Sequence, residues 1–76
     1  MSLDKKTREL IALGAAIGGN CIPCLRWHFK QCIKLGVPLE DIKEAADIAF
    51  EVKQVPIKLI HDAFDLLLNR PKLLTQ

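Results

Sequence analysis

Three side chains that can carry electrons or protons lie within eight residues of one another. The segment CIPCLRWH, residues 21–28, places thiols at Cys21 and Cys24 and an imidazole at His28. Two thiols at this spacing can form a disulfide, bind a metal together with the histidine, or pack as small apolar residues. Each of these three interpretations requires different neighbouring residues.

The three side chains are predicted to share one face of a helix. Gly18 and Gly19 are expected to end a preceding helix, and an α-helix turns by about 100° per residue. In a helix that begins near Cys21, the residues Cys21, Cys24 and His28 then fall within a sector of about 60°. They are therefore expected to be neighbours in space.

The surroundings of the two thiols act on their acidity in opposite directions. The unpaired N–H groups of a first helical turn and a nearby imidazole favour the thiolate, whereas burial beside Ile22 and Leu25 disfavours it. We expect at least one cysteine to be more acidic than an ordinary thiol. Cys24, one turn before His28, is the better placed to transfer its proton, with Cys21 as its disulfide partner. The order of attack stays open.

Glu9 is the candidate third group of this site. An imidazole that acts as a base usually has a further group that orients it, and a short glycine-rich turn makes consecutive helices antiparallel neighbours. Glu9 lies on the helix before the cysteines and could reach His28. The residues alone leave two interpretations open: a partner of His28, or a solvated carboxylate on an amphipathic helix.

A metal centre is disfavoured by the length of the helix that would carry it. Cys32 continues the face of Cys24 and His28, but it lies about 12 Å of helical rise from Cys24. One regular helix therefore cannot place these residues and Cys21 around a tetrahedral ion. We expect no metal and no cofactor, and we interpret Cys32 as a small core residue.

The elements that position these residues are all predicted to be helices, because apolar residues recur at three- and four-residue intervals and no strand-like alternation occurs. The expected helices are Asp4 to Ile17, Asn20 as N-cap to about Leu35, a third after Pro38 that breaks near Gln54–Pro56, and a fourth that ends at Pro71. The buried stripe of the second helix is expected to be Ile22, Leu25, Phe29 and Ile33. The prediction is an all-α fold of about four helices in a single domain, residues 1–76, with a short tail from about residue 70.

Composition indicates an oligomer. The chain has 76 residues, of which 50% are hydrophobic, and its mean hydropathy is +0.18. A domain this small buries only about 60% of its unfolded surface, so we expect subunits to share apolar surface.

Charge and cysteine usage exclude several other classes of function. The net charge of +2 comes from acidic and basic residues that alternate along the chain, so no nucleic-acid partner is expected. We find no secretory signal and no membrane span, and the number of cysteines is odd, at three. The expected compartment is the reducing cytoplasm, where a CxxC pair is typically redox-active or metal-binding.

Residues 8–45, RELIALGAAIGGNCIPCLRWHFKQCIKLGVPLEDIKEA, resemble the alkylhydroperoxidase AhpD and carboxymuconolactone decarboxylase family. The peroxidase-like branch of that family has a glutamate followed by CxxCxxxH, and Glu9, Cys21, Cys24 and His28 match this pattern. The segment LGVPLEDIKEA is similar to the family's turn into its next helix. One position departs from AhpD, because Pro23 stands where AhpD has a second histidine.

The resemblance implies an all-helical fold, assembly into trimers or hexamers, and a reversible dithiol–disulfide cycle. It implies that Cys21 and Cys24 are the redox pair, His28 the base and Glu9 its relay partner. The implied activity is reduction of a peroxide or of a disulfide partner, with a partner peroxidase or thiol reductant. The alternatives are a non-catalytic oligomeric module that senses redox state or binds a partner, and a decarboxylase-type lyase, which the presence of both cysteines disfavours.

Overall fold

The chain folds into three α-helices followed by a short 3-10 turn. The computed structural model describes residues 2–74. Helix α1 spans Lys5–Gly18, α2 spans Ile22–Lys34, α3 spans Leu39–Asn69, and the 3-10 turn spans Pro71–Leu74. The described residues contain no strand, which confirms the all-α prediction. Of the predicted tail, residues 75 and 76 lie outside the described residues.

Helix α1 begins and ends where its capping residues predict. Asp4 is the N-cap, and its carboxylate accepts a hydrogen bond of 2.7 Å from the backbone N–H of Thr7. At the other end, the N–H of Gly19 donates to the carbonyl of Ala15 at 2.9 Å. The helix therefore stops one turn before the cysteine segment.

Helix α2 begins one residue later than predicted, because Cys21 and not Asn20 is its N-cap. Asn20 instead adopts a left-handed conformation with φ of 56°, which an asparagine tolerates better than most residues. Its backbone turns the chain from α1 into α2, so its side chain is not available to cap the second helix. The far end is as predicted, with Leu35 as C-cap and Gly36 at a φ of 76°.

Helix α3 corrects the prediction of a third and a fourth helix. It runs unbroken through Pro56 for 31 residues, although a proline removes one backbone hydrogen bond and crowds the carbonyl four residues earlier. That carbonyl belongs to Val52, and because Val52 and Pro56 are both exposed, water can bind it. Continuing the helix also avoids the unfavourable nucleation that a separate fourth helix would require.

The core is small and lies where α1 crosses the other two helices. It is built from Leu13, Ile17, Cys32, Val37 and Ile42. The predicted stripe of α2 is wrong in three of four residues, since Ile22, Phe29 and Ile33 are 60%, 42% and 48% exposed. Leu25 packs inward as predicted, together with Cys32 and Leu35, and the chain leaves much apolar surface exposed.

The C-terminal half of α3 projects away from this core. Every residue from 54 to 72 is exposed, and the molecule is 58 Å long but only 25 and 21 Å across. No helix within the described residues is both long and apolar enough to cross a membrane.

Candidate active site

The first turn of α2 holds a disulfide between Cys21 and Cys24. Their Cα atoms are 5.2 Å apart and their sulfurs are bonded at 2.04 Å. Cys21 is half-buried against the preceding turn, whereas Cys24 is exposed. Cys24 is therefore the more accessible residue of the pair.

The backbone of α2 polarises the sulfur of Cys21. The N–H of Cys24 points at Cys21 Sγ at a distance of 3.3 Å, and the free N–H groups of a first helical turn form the positive end of the helix dipole. When the disulfide is reduced, this arrangement favours the thiolate form of Cys21. Pro23 is tolerated in the same turn, because the N–H that it lacks would have no partner within the helix.

His28 and Glu9 form a direct contact between α2 and α1. Nδ1 of His28 lies 2.7 Å from Oε2 of Glu9, and their side chains are only 28% and 25% exposed. An ionised carboxylate only accepts hydrogen bonds, so Nδ1–H is the donor, and in the neutral imidazole Nε2 carries the lone pair. Glu9 is therefore in contact with His28 and is not a fully solvated carboxylate.

The packing of α1 on α2 explains how residues 19 positions apart meet. The tight turn after Gly18 folds the two helices back on each other, and Leu13 and Cys32, which are 1% and 0% exposed, pack between them. His28 follows Cys24 by four residues on α2, so the two lie on the same face of the helix. Helical spacing thus places the disulfide and the imidazole on one face of α2, and the imidazole contacts the carboxylate on α1.

Cys32 is a core residue with no free face, as predicted. Its side chain is fully buried, and burial together with the negative charge of Glu9 raises the pKa of its thiol. Both effects disfavour the thiolate. The thiol of Cys32 is therefore expected to be less reactive than those of Cys21 and Cys24, although α2 and its N-cap carry all three.

This contrast predicts selective alkylation. In the reduced protein at about pH 8, iodoacetamide is expected to modify Cys24 at least about tenfold faster than Cys32, because a thiol of raised pKa holds little thiolate at that pH. Peptide mapping by mass spectrometry measures both rates. In urea, where burial is lost, the difference is expected to vanish, and equal rates in the native protein would contradict the assignment.

No group of three or more His, Cys, Asp or Glu side chains among the described residues is arranged to hold a metal ion. His61 is exposed on α3.

Lys53 is a residue at this site that sequence reasoning missed. From α3 it donates to the carbonyl of Ile17 at 2.8 Å and to the side-chain oxygen of Asn20. The sequence did hold a signal, because position 53 continues the inward-facing series of Ile42, Ala46 and Ala49 at helical spacing. A lysine on a buried face indicates a polar partner inside.

A shallow groove opens beside Cys21 between α2 and α3. Its walls are almost entirely apolar and include Ile22, Leu25 and Phe50. Lys53 lines the same groove.

The comparisons with known proteins identify a family and nothing closer. A family model described as the carboxymuconolactone decarboxylase family matches residues 1–67. This match covers all three helices except the last two residues of α3. No curated protein and no solved structure matches the chain.

Proposed function

The chain belongs to the carboxymuconolactone decarboxylase family, and on that premise we propose that it is a thiol–disulfide oxidoreductase of the alkylhydroperoxidase type. Its dithiol, Cys21 and Cys24, reduces a peroxide, and His28 and Glu9 relay the protons. The observation that carries this proposal is the 2.7 Å contact between Nδ1 of His28 and Glu9. That contact leaves Nε2 as a base one helical turn from an exposed cysteine.

The first step is attack by Cys24 on the peroxide. His28 Nε2 takes the proton of the Cys24 thiol, and the thiolate forms a bond to one oxygen of ROOH while the O–O bond breaks. The leaving alkoxide takes the proton back from His28 and departs as ROH. Cys24 is left as a sulfenic acid. Its exposure and its spacing from His28 support this order.

The second step closes the disulfide. The thiolate of Cys21, favoured by the N–H of Cys24, attacks the sulfur of the sulfenic acid, and hydroxide leaves as water with a proton from the relay. Two electrons have passed from the two thiols to the peroxide, and the product is the disulfide that the structure holds. An external dithiol then restores the reduced form.

Pro23 concentrates the proton transfer on one pathway. It stands where AhpD has a second histidine and carries no ionisable group. Pro23 therefore cannot accept the proton of Cys24, and in this proposal His28 takes it.

Oxidation of the fully reduced chain by one equivalent of cumene hydroperoxide tests the proposal. The intact mass is expected to fall by two hydrogens while one equivalent of the alcohol forms, and dithiothreitol is expected to restore the mass and permit further turnovers. The matched control is Cys32→Ala, which keeps the dithiol and should behave the same way. A chain that keeps its thiols, or that forms the disulfide without producing the alcohol, would contradict a peroxidase and favour a redox-sensing module.

We further propose that several subunits associate, as a trimer or hexamer. Six hydrophobic side chains are buried among the described residues, against eighteen large ones that are exposed. In the projecting half of α3, Ile57, Ile60, Phe64 and Leu67 form a stripe at three- and four-residue intervals. An isolated helical segment of this length is marginal in water, so a second copy is expected to cover the stripe.

Light scattering on the purified protein checks this proposal. We expect a mass that is a multiple of the 8.5 kDa subunit, and we expect Phe64→Glu to lower it because the substitution places a charge in an apolar contact. Asn69→Glu, which adds the same charge on the opposite side of α3, is the control and should leave the mass unchanged. A wild-type mass of one subunit would refute the association.

A further inference from the structure

Lys53 does not belong to the hydrophobic core cluster. Lys53 reaches from α3 to the turn between α1 and α2, where its ammonium group binds the carbonyl of Ile17 and the side-chain oxygen of Asn20. The first of these acceptors lies in the last turn of α1 and also accepts the backbone N–H of Asn20. The second belongs to the residue immediately before Cys21.

The turn that Lys53 binds controls where Cys21 lies. Asn20 has a φ of 56°, a conformation of low population that persists where other contacts hold it. Two backbone hydrogen bonds within the turn contribute: the N–H of Asn20 donates to the carbonyl of Ile17 at 3.2 Å, and the N–H of Cys21 donates to the carbonyl of Ala16 at 3.0 Å. The lysine adds two hydrogen bonds to this turn from α3, a distant segment of the chain.

Lys53 also brings a positive charge to the groove beside the disulfide. Of the eight described residues that line this groove, only Cys21 and Lys53 have ionisable side chains, and most of the others are apolar. Charges interact more strongly across an apolar, partly desolvated surface than in bulk water. The other ionisable residues of the site, His28 on α2 and Glu9 on α1, are paired with each other.

We propose that Lys53 is a positioning residue for the redox reaction: it holds the turn that carries Cys21 and stabilises the thiolate that Cys21 becomes when the disulfide is reduced. This inference rests on the proposed dithiol cycle. It also predicts which sulfur an external reductant attacks and which sulfur leaves when the disulfide is reduced.

The direction follows from leaving-group chemistry. When an external dithiol reduces the protein, its thiolate forms a bond to one sulfur, the Cys21–Cys24 bond breaks, and the other sulfur leaves with the electron pair. The more stabilised thiolate leaves faster. Cys24 is exposed and receives the attack, so the mixed disulfide forms on Cys24 and Cys21 leaves as the thiolate beside Lys53. The second thiol of the reductant then displaces Cys24, which completes the transfer of two electrons.

The test is the equilibrium between the purified protein and mixtures of reduced and oxidised dithiothreitol, read by acid quenching and intact mass. Loss of the charge in Lys53→Met should shift the equilibrium from the reduced protein toward the disulfide. We expect a shift of about tenfold in the equilibrium constant, or about 30 mV toward more negative potential. Lys53→Arg, which keeps the charge and the donors, should restore most of the wild-type value.

Lys58→Met is the matched control, because it removes the same charge from the same helix at a residue paired with Asp62 and remote from the turn. It should leave the equilibrium unchanged. Lys53→Gln, which keeps a donor for the turn, serves if Lys53→Met fails to fold, and it should show the same shift. An equilibrium constant for the folded variant within about twofold of wild type, or an equal shift in Lys58→Met, would overturn the proposal.

This experiment uses no peroxide, so its outcome is separate from that of the proposed function. If the protein exchanges with dithiothreitol in a Lys53-dependent way but does not reduce cumene hydroperoxide, the peroxidase fails and the role of Lys53 stands. If the variant turns over peroxide and keeps the wild-type equilibrium, the role of Lys53 fails and the peroxidase stands.

Discussion

Replacing Cys24 with serine is expected to abolish reduction of cumene hydroperoxide, with a loss in rate of more than about 10³-fold. A hydroxyl is a far weaker nucleophile than a thiolate, and removal of the attacking group from a covalent catalyst typically has an effect of this size or larger. Steady-state consumption of dithiothreitol in the presence of peroxide measures the loss. The Cys24→Ser chain should also keep its mass under conditions that oxidise the wild type.

The variant Cys21→Ser distinguishes the role of Cys21 from that of Cys24. In Cys21→Ser the attack by Cys24 is retained but no partner thiol can close the disulfide, so the sulfenic acid should accumulate and react with dimedone. The exposure of Cys24 against the half-buried position of Cys21 is the basis for this order. Cys32→Ala controls for a general effect of cysteine loss, at a cost in stability of about 1 kcal/mol. A dimedone adduct on Cys21 in the Cys24→Ser chain would reverse the assignment.

Replacing His28 with glutamine is expected to slow disulfide formation by about 10²- to 10⁴-fold, which is the usual contribution of a positioned general base. Glutamine retains a hydrogen-bonding donor for Glu9 but cannot take the proton of Cys24. Stopped-flow measurement of the reduced protein with excess peroxide isolates this step from the later reduction. Raising the pH should narrow the difference, because solvent then removes the proton from the thiol.

Glu9→Gln tests how much the negative charge beside His28 contributes to the same step. The amide keeps an oxygen that accepts from Nδ1–H, so the fold and the orientation of His28 should persist, but the negative charge that stabilises the imidazolium is lost. We expect a smaller decrease than in His28→Gln, of about tenfold or more. Exposed Glu40→Gln, which removes the same charge at the start of α3, should have no effect. An unchanged rate in Glu9→Gln would remove Glu9 from the mechanism.

The site illustrates which contacts local sequence can predict. The cysteines and His28 are related by helical spacing within one element, so their common face follows from 3.6 residues per turn. The approach of Glu9 is nearly as local, because the short turn after Gly18 requires α1 and α2 to pack side by side. Whether Glu9 faces His28 or water depends on the rotation of one helix against the other. That rotation is set by the packing of the whole core cluster, which includes Leu13 of α1 and Cys32 of α2.

The start of α2 shows how a tertiary contact overrides a local preference. Asparagine is a better N-cap than cysteine by intrinsic preference, and the sequence alone predicts Asn20 in that role. In the fold, the side chain of Asn20 binds Lys53, which is 33 residues away, and Cys21 caps the helix through its sulfur. No property of residues 18–24 specifies this outcome.

By itself, the sequence determined the helical class, the ends of α1, the C-terminal end of α2 and the common face of Cys21, Cys24 and His28, because these follow from capping residues and periodicity within a few turns. Tertiary structure alone decided that Cys21 caps α2 and that Lys53 reaches the turn before it, and only the full length of α3 showed that this helix continues through Pro56. Each of these depends on free energies that local spacing does not contain: solvation of a freed carbonyl, the cost of nucleating another helix, and a charged contact between distant segments.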